Sequence, residues 1–145
     1  MNVFWKSAAY LYKHNCNWGG YCFEKISYLL GGNAISAKAS IGEGTVFEHR
    51  GLGCVVHAKS KIGKNCIIFQ SVTIGSRYKN GYWESAMPPV IEDGVIIGAG
   101  AVILGNITIG TGAHIGANAV CITDIPAYST AVGIPAKIVK TRQIE

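Results

Sequence analysis

Four histidines are the side chains of this sequence best suited to moving a proton near neutral pH: His14, His49, His57 and His114. One of them, His49, directly follows an acid, Glu48, in the segment EHRGLG (Glu48–Gly53). An imidazole so placed can take the proton of a hydroxyl and free an oxygen nucleophile. The five cysteines, Cys16, Cys22, Cys54, Cys66 and Cys121, offer a different chemistry. Their number is odd and no two stand at C-x-x-C spacing. Neither a disulfide frame nor a structural zinc site is expected, and no metal is assigned. The thiols read as reduced and mostly buried. Thirteen Lys and Arg stand against eight Asp and Glu, a net charge of +5. This mild excess suits a phosphate-bearing or anionic small ligand. The basic residues are scattered, with one loose group at Lys137, Lys140 and Arg142. A nucleic-acid binder concentrates them, so no nucleic acid is expected as partner.

The elements that must position these residues follow from length and pattern. The chain has 145 residues, room for one domain. Apolar residues are 49% and charged ones 14%, which excludes intrinsic disorder. No apolar run is long enough for a transmembrane segment. Residues 1–22 carry Lys6, Lys13 and His14 and lack the apolar centre of a signal peptide, so a cytoplasmic location is expected.

A period of six organises most of the chain. Blocks begin at Ile91, Ile97, Ile103, Ile109, Ile115 and Cys121. A second series begins at Val56, Ile62, Ile68 and Ile74, and a third at Ile35, Ile41 and Phe47. Small or branched residues often take the fifth place, among them Ala39, Thr45, Ser60, Cys66, Val72, Val95, Ala101, Ala113 and Ala119. A helix would repeat at 3.6 residues and an ordinary strand at 2. A strict six fits short strands joined by tight turns, with both marked positions pointing inward. Three blocks close one triangular coil. Ile91 is then expected to stack on Ile109, and Ile97 on Ile115, each coil advancing about 4.8 Å. The fold class is an all-β solenoid, a parallel β-helix of about five coils.

Two breaks interrupt the period, and loops on a rigid scaffold are where function concentrates. Phe47 to Val56 is nine residues, and this break holds His49. Ile74 to Ile91 is seventeen, read as two blocks with five extra residues. It holds Arg77, Tyr78, Lys79, Tyr82 and Trp83. His57 follows the inward Val56, and His114 precedes the inward Ile115, so both are expected to face outward. His14 reads as a surface residue.

Residues 1–33 differ in character and read as an N-terminal helical cap, with 34–145 as the β-helix and its tail. Phe4, Trp5, Ala8, Ala9, Leu11 and Tyr12 fall near helical spacing, as do Phe23, Ile26, Leu29 and Leu30. Asn17-Trp18-Gly19-Gly20 is expected to separate two helices, and Gly31-Gly32 to stop the second. Such a cap covers the open end of the first coil.

From Ile35 to Val139 the sequence resembles the catalytic domain of the serine O-acetyltransferases, members of the left-handed β-helix hexapeptide acyltransferases. The segments IIFQSVTIG (Ile67–Gly75), VIIGAGAVILGNITIG (Val95–Gly110), IGANAV (Ile115–Val120) and DIPAYSTAVGIPAKIV (Asp124–Val139) carry the likeness. The resemblance implies a left-handed coil, acetyl-CoA as co-substrate and a homotrimer with coenzyme A in a groove between neighbouring β-helices. It implies His49 as general base, with Glu48 as the acid of the acidic-His turn. Ser76, Ala99 and Ala117 match positions along the pantetheine arm, and Lys137 and Lys140 stand near the nucleotide phosphates. Direct attack on the thioester is implied, with no covalent enzyme intermediate.

The sequence also departs from that pattern. The serine enzymes carry an Asp about 15 residues before the His; here the place falls on Ala34, beside Asn33. Glu48, Glu43, Asn33 or a backbone carbonyl remain as candidates to orient His49. Glu48 itself stands where those enzymes have Asp. Their D-R-H-P is replaced by Ala86, Met87, Pro88 and Pro89. Met cannot replace an Arg that forks a carboxylate. Their long N-terminal helical domain is not seen in this sequence, which ends Gln143-Ile144-Glu145 without their Ile-terminated tail. The expected acceptor is therefore a hydroxyl of a sugar or surface polysaccharide, in the manner of the short polysaccharide O-acetyltransferases. Tyr78, Tyr82 and Trp83 would offer flat faces to a sugar ring, and Arg77 with Lys79 would meet an acidic one. Two alternatives stay open. One is a serine O-acetyltransferase with a remodelled acceptor pocket. The other is a non-acetyltransferase β-helix trimer, either a scaffold or a metal-dependent hydratase using His49, His57 and His114.

Overall fold

The structure is a computed structural model and describes residues 3–79, 81–83 and 88–141, with Val3, Lys79, Tyr82 and Trp83 described by backbone alone. Two helices lead into three parallel sheets that form the faces of a left-handed β-helix. The first face holds Ala34–Ile35, Val55–Val56, Thr73–Gly75, Val102–Leu104 and Val120–Cys121. The second holds Ser40–Ile41, Lys61–Ile62, Val90–Ile91 and Thr108–Ile109. The third runs from Val46–Phe47 through Ile67–Ile68, Ile96–Ile97, His114–Ile115 and Ser129–Val132, and ends on the antiparallel Lys137–Thr141.

The six-residue period is the cause of this shape. Each block start points inward and meets the start of the next coil. Ile91 pairs with Ile109 and Ile97 with Ile115, as the spacing predicts. Ile68, Ile74, Ile91, Ile97, Ile103 and Ile109 are almost fully buried in one column-built core. The fifth places fill the corners: Val72, Val95, Ala101, Ala113 and Ala119 have no exposure. Thr45 is half-buried, and its Oγ1 donates to the Gly63 carbonyl at 2.7 Å, so a polar side chain is satisfied at a corner. Gly98 lies where two turns stack; a Cβ there would stand 2.6 Å from the Ala117 nitrogen.

The second break differs from its expected size. Ile74 is on the first face and Ile91 on the second, so a single block separates them. The insertion is therefore eleven residues beyond one block of six, not five beyond two. Part of it is an antiparallel hairpin, Tyr78–Lys79 with Tyr82–Trp83.

The cap forms as two helices, α1 (Val3–Lys13) and α2 (Asn17–Gly31). The break between them is earlier than expected, at residues 14–16, where Asn15 has φ 61°. Asn17 to Gly20 belong to α2, and Gly20 faces α1 so closely that a Cβ would meet the Tyr12 ring at 2.7 Å. Gly32 ends α2 in the left-handed conformation, as the Gly pair predicts. The Trp5 Nε1–H donates to the Ile35 carbonyl at 3.0 Å. Glu24 accepts from the Tyr12 hydroxyl and from the Ala37 N–H, both at 2.8 Å, tying cap to first coil. Burial and this hydrogen bond push the Tyr12 hydroxyl up to about 12. Of the apolar set expected to bury α2, Phe23 packs against the core, whereas Ile26, Leu29 and Leu30 are exposed. Leu29 is 76% exposed and Leu30 69%, while Gly20 and Ser27 face inward.

Truncating a column residue leaves a cavity that neighbouring coils cannot close. Ile97→Ala is expected to cost about 2–5 kcal/mol, read as a lower urea midpoint with far-UV signal retained in the folded fraction.

Candidate functional site

The first break folds as a tight turn, Glu48–Gly51. His49 and Arg50 both take left-handed backbone conformations, at φ 50° and φ 61°. Each such non-glycine residue costs roughly 1–2 kcal/mol, so the surroundings must hold the turn. They hold it from both sides. Within the turn, the Leu52 N–H donates to the His49 carbonyl at 3.2 Å and the Cys54 N–H to the Gly51 carbonyl at 2.9 Å. From the cap side, the Gly32 carbonyl accepts from the Gly53 N–H at 2.7 Å. From the next coil, the Ser71 N–H donates to the Leu52 carbonyl at 2.8 Å. Gly51 is buried at φ 71°, and a Cβ there would stand 2.8 Å from Ile35 Cδ1. The result presents His49 exposed at the surface, with Glu48 half-buried before it.

Of the side-chain candidates outside the turn, Asn33 is the one bonded to it, yet it does not bond the imidazole. Its Nδ2 donates to the Arg50 carbonyl at 3.1 Å and to the Gly31 carbonyl at 3.3 Å. Glu43 is exposed in a turn of the first coil.

His57 is half-buried, and its Nδ1 accepts from the Lys59 N–H at 3.1 Å. It lines a mainly apolar groove with Val55, Thr73, Gly75, Ser76 and Leu104. Ser76 Oγ is buried there and has no hydrogen-bond partner among the described residues. A buried hydroxyl without a partner leaves one unpaired polar group on this mainly apolar groove.

The other residues singled out by sequence are spread over the prism. Ala99 and Ala117 stack at a different corner from Ser76, bounding the opposite edge of the first face; the Asn118 N–H donates to the Ala99 carbonyl at 2.9 Å. Lys137 and Lys140 lie exposed on the antiparallel tail strand. Arg77 is half-buried, and its Nη1 donates to the Ile122 carbonyl at 3.4 Å, against the side of the coil. Tyr78 is exposed at the start of the hairpin. The side chains of Lys79, Tyr82 and Trp83, and all of Ala86 and Met87, lie outside the described residues. Pro88 and Pro89 are buried. His114 is half-buried on the third face. Among the described residues no three His, Cys, Asp or Glu side chains gather as a metal site. Nor is any described helix long and apolar enough to cross a membrane.

The bacterial transferase hexapeptide (six repeats) pattern matches residues 88–123. The serine acetyltransferase of Staphylococcus xylosus is 41% identical over 117 residues, covering 81% of this chain and 52% of that protein. This chain carries the transferase hexapeptide repeat and is similar to serine acetyltransferases over most of its own length. The crystal structure of the Neisseria gonorrhoeae serine acetyltransferase superposes with a TM-score of 0.87 at 34% identity, covering 98% of this chain and 54% of that one. A serine acetyltransferase solved in complex with CoA gives 0.82 at 36%, covering 94% and 54%. The chain spans about half the length of the curated relatives it matches. These hexapeptide acetyltransferases are named for serine, so the sugar acceptor expected from sequence draws no support from them.

The buried thiols of this chain are placed to pack and not to react. Cys54 Sγ donates to the Phe69 carbonyl at 3.2 Å. Burial pushes the Cys54 and Cys66 thiols up, and the Cys121 thiol up to about 11. A thiol-specific reagent is expected to label the exposed Cys16 quickly and these three only on unfolding. A raised folded-state value means that the unfolded chain loses this proton first. Stability is thus whole below the unfolded thiol range of about 8.5 and falls as pH rises toward about 11, read as a urea midpoint against pH.

Proposed function

We propose that the chain is an acetyl-CoA-dependent O-acetyltransferase whose acceptor is serine or a close analogue. The observation that carries the reading is the clasped turn at residues 48–51, which breaks the regular coil and presents His49 at the surface. The relatives' names supply the acceptor.

In this reading His49 takes the proton of the acceptor hydroxyl. The freed oxygen attacks the thioester carbonyl, and backbone N–H groups of a neighbouring coil receive the negative charge that develops on the carbonyl oxygen. Collapse releases the coenzyme A thiolate, which takes the proton from His49. The apolar groove at Ser76 would take the pantetheine arm, supported by the unpartnered hydroxyl. Lys137 and Lys140 would meet phosphates from their exposed strand. A homotrimer is part of the proposal. The first face carries apolar residues outward, Val55 among the exposed ones, and a closed cyclic assembly would cover such faces.

A second reading keeps the sugar acceptor, and a specific observation favours it. Ala34 and Pro88 stand where the likeness to the serine enzymes implies Asp and His, and an exposed Tyr78 stands at the hairpin. Coenzyme A thiol release by the purified protein separates the two. Release with serine supports the first reading. Release with sugar fragments and none with serine replaces it by the second. His49→Ala is expected to lower turnover roughly 10²–10⁴-fold while coenzyme A binding, measured by calorimetry, stays unchanged. A fully active His49→Ala protein would move the base to His57.

A further inference from the structure

We propose that Asn33 is a positioning residue that holds His49 through the backbone of Arg50. The proposal rests on His49 being the base. Asn33 is only 7% exposed, at the junction between α2 and the first coil. Its single amide nitrogen donates to two carbonyls from different elements. One is the Gly31 carbonyl, at the end of α2, where helix carbonyls have no partner of their own. The other is the Arg50 carbonyl, in the turn that carries His49.

This second bond closes the turn. His49 and Arg50 are two successive left-handed residues, a pair that does not persist unless its peptide groups are held. The His49 carbonyl is held by the Leu52 N–H, and the Arg50 carbonyl by Asn33. With both carbonyls fixed, the backbone on which the imidazole stands has little freedom. No charge is needed for this. Asn33 therefore does through a peptide group what an acid beside the imidazole does directly.

The Gly53 N–H to Gly32 carbonyl bond joins the same two segments by backbone alone, without the Asn33 side chain. Loss of the side-chain donor should loosen the Arg50 end of the turn and leave the coil in place. A displacement of the order of 1 Å at a catalytic group costs about 10²-fold in rate.

The test uses Asn33→Asp, which keeps the shape and removes both N–H donors, with Asn33→Ala as second variant. The expected result is a kcat lowered roughly 10- to 100-fold with KM for acetyl-CoA unchanged. The imidazole carbon signal of His49, identified by its loss in His49→Ala, should broaden or split while that of His57 stays sharp. This spectrum needs no activity, so it reads the proposal even if the acceptor is wrongly chosen. If His49→Ala is inactive while both Asn33 variants keep full kcat and a sharp His49 signal, the positioning role is overturned and His49 as base stands. If His49→Ala is fully active, the reading of the base fails, and the His49 spectrum alone then decides whether Asn33 orders the turn.

Discussion

Everything in this molecule depends on one repeated contact, an inward aliphatic side chain resting on its counterpart one coil away. Ile91 on Ile109 and Ile97 on Ile115 are instances of it. Backbone hydrogen bonds between coils set the spacing, and the apolar column makes that spacing worth keeping. Corners are forced to be small because three faces meet there. That is why Ala, Val and Cys occupy them, and why Gly98 has a neighbouring backbone where a side chain would be. The scaffold is rigid, and whatever leaves it does so at a corner. The His49 turn and the Tyr78–Trp83 hairpin are both of this kind.

The site follows from the same constraint. A regular block would have no reason to place two residues in the left-handed region. Three extra residues between Phe47 and Val56 create a turn that the coil does not itself stabilise. Its support comes from three directions: its own carbonyls, the junction of α2 with the first coil, and the corner at Ser71. Turn, cap and second coil are thus one mechanical unit. The apolar groove on the first face belongs to the scaffold, and Ser76 adds to it a hydroxyl with no internal partner among the described residues.

The period of six made the coil legible before any coordinates, because each inward place is fixed by one residue type at one spacing. The break at His49 was legible for the same reason. Other features were not. The size of the Ile74–Ile91 insertion is not readable from residue counts, because they do not tell which face a strand joins; only pairing with Ile62 does. On α2 helical spacing marks an apolar stripe but not how much of it is covered: Phe23 packs on the core. Leu29 and Leu30 lie outside, while Gly20 lets Tyr12 approach. The tie from Asn33 to Arg50 spans 17 residues and joins a side chain to a carbonyl, which no sequence pattern encodes. The acceptor is the least legible feature, because it rests on substitutions in a loop rather than on the repeat that the chain shares with its relatives.

The long insertion at residues 75–90 has a bearing on how such a chain assembles and diversifies. Each coil closes a loop of about eighteen residues before its column contact forms, so closure carries a similar entropic toll at every level of the stack. Closure entropy grows only with the logarithm of loop length. Lengthening one coil by eleven residues therefore adds only about 0.4 kcal/mol. Coils above and below do not register the change, since each contacts only its neighbours. A corner can accordingly acquire, lose or exchange a loop at almost no thermodynamic penalty, leaving selection free to act on what that loop recognises.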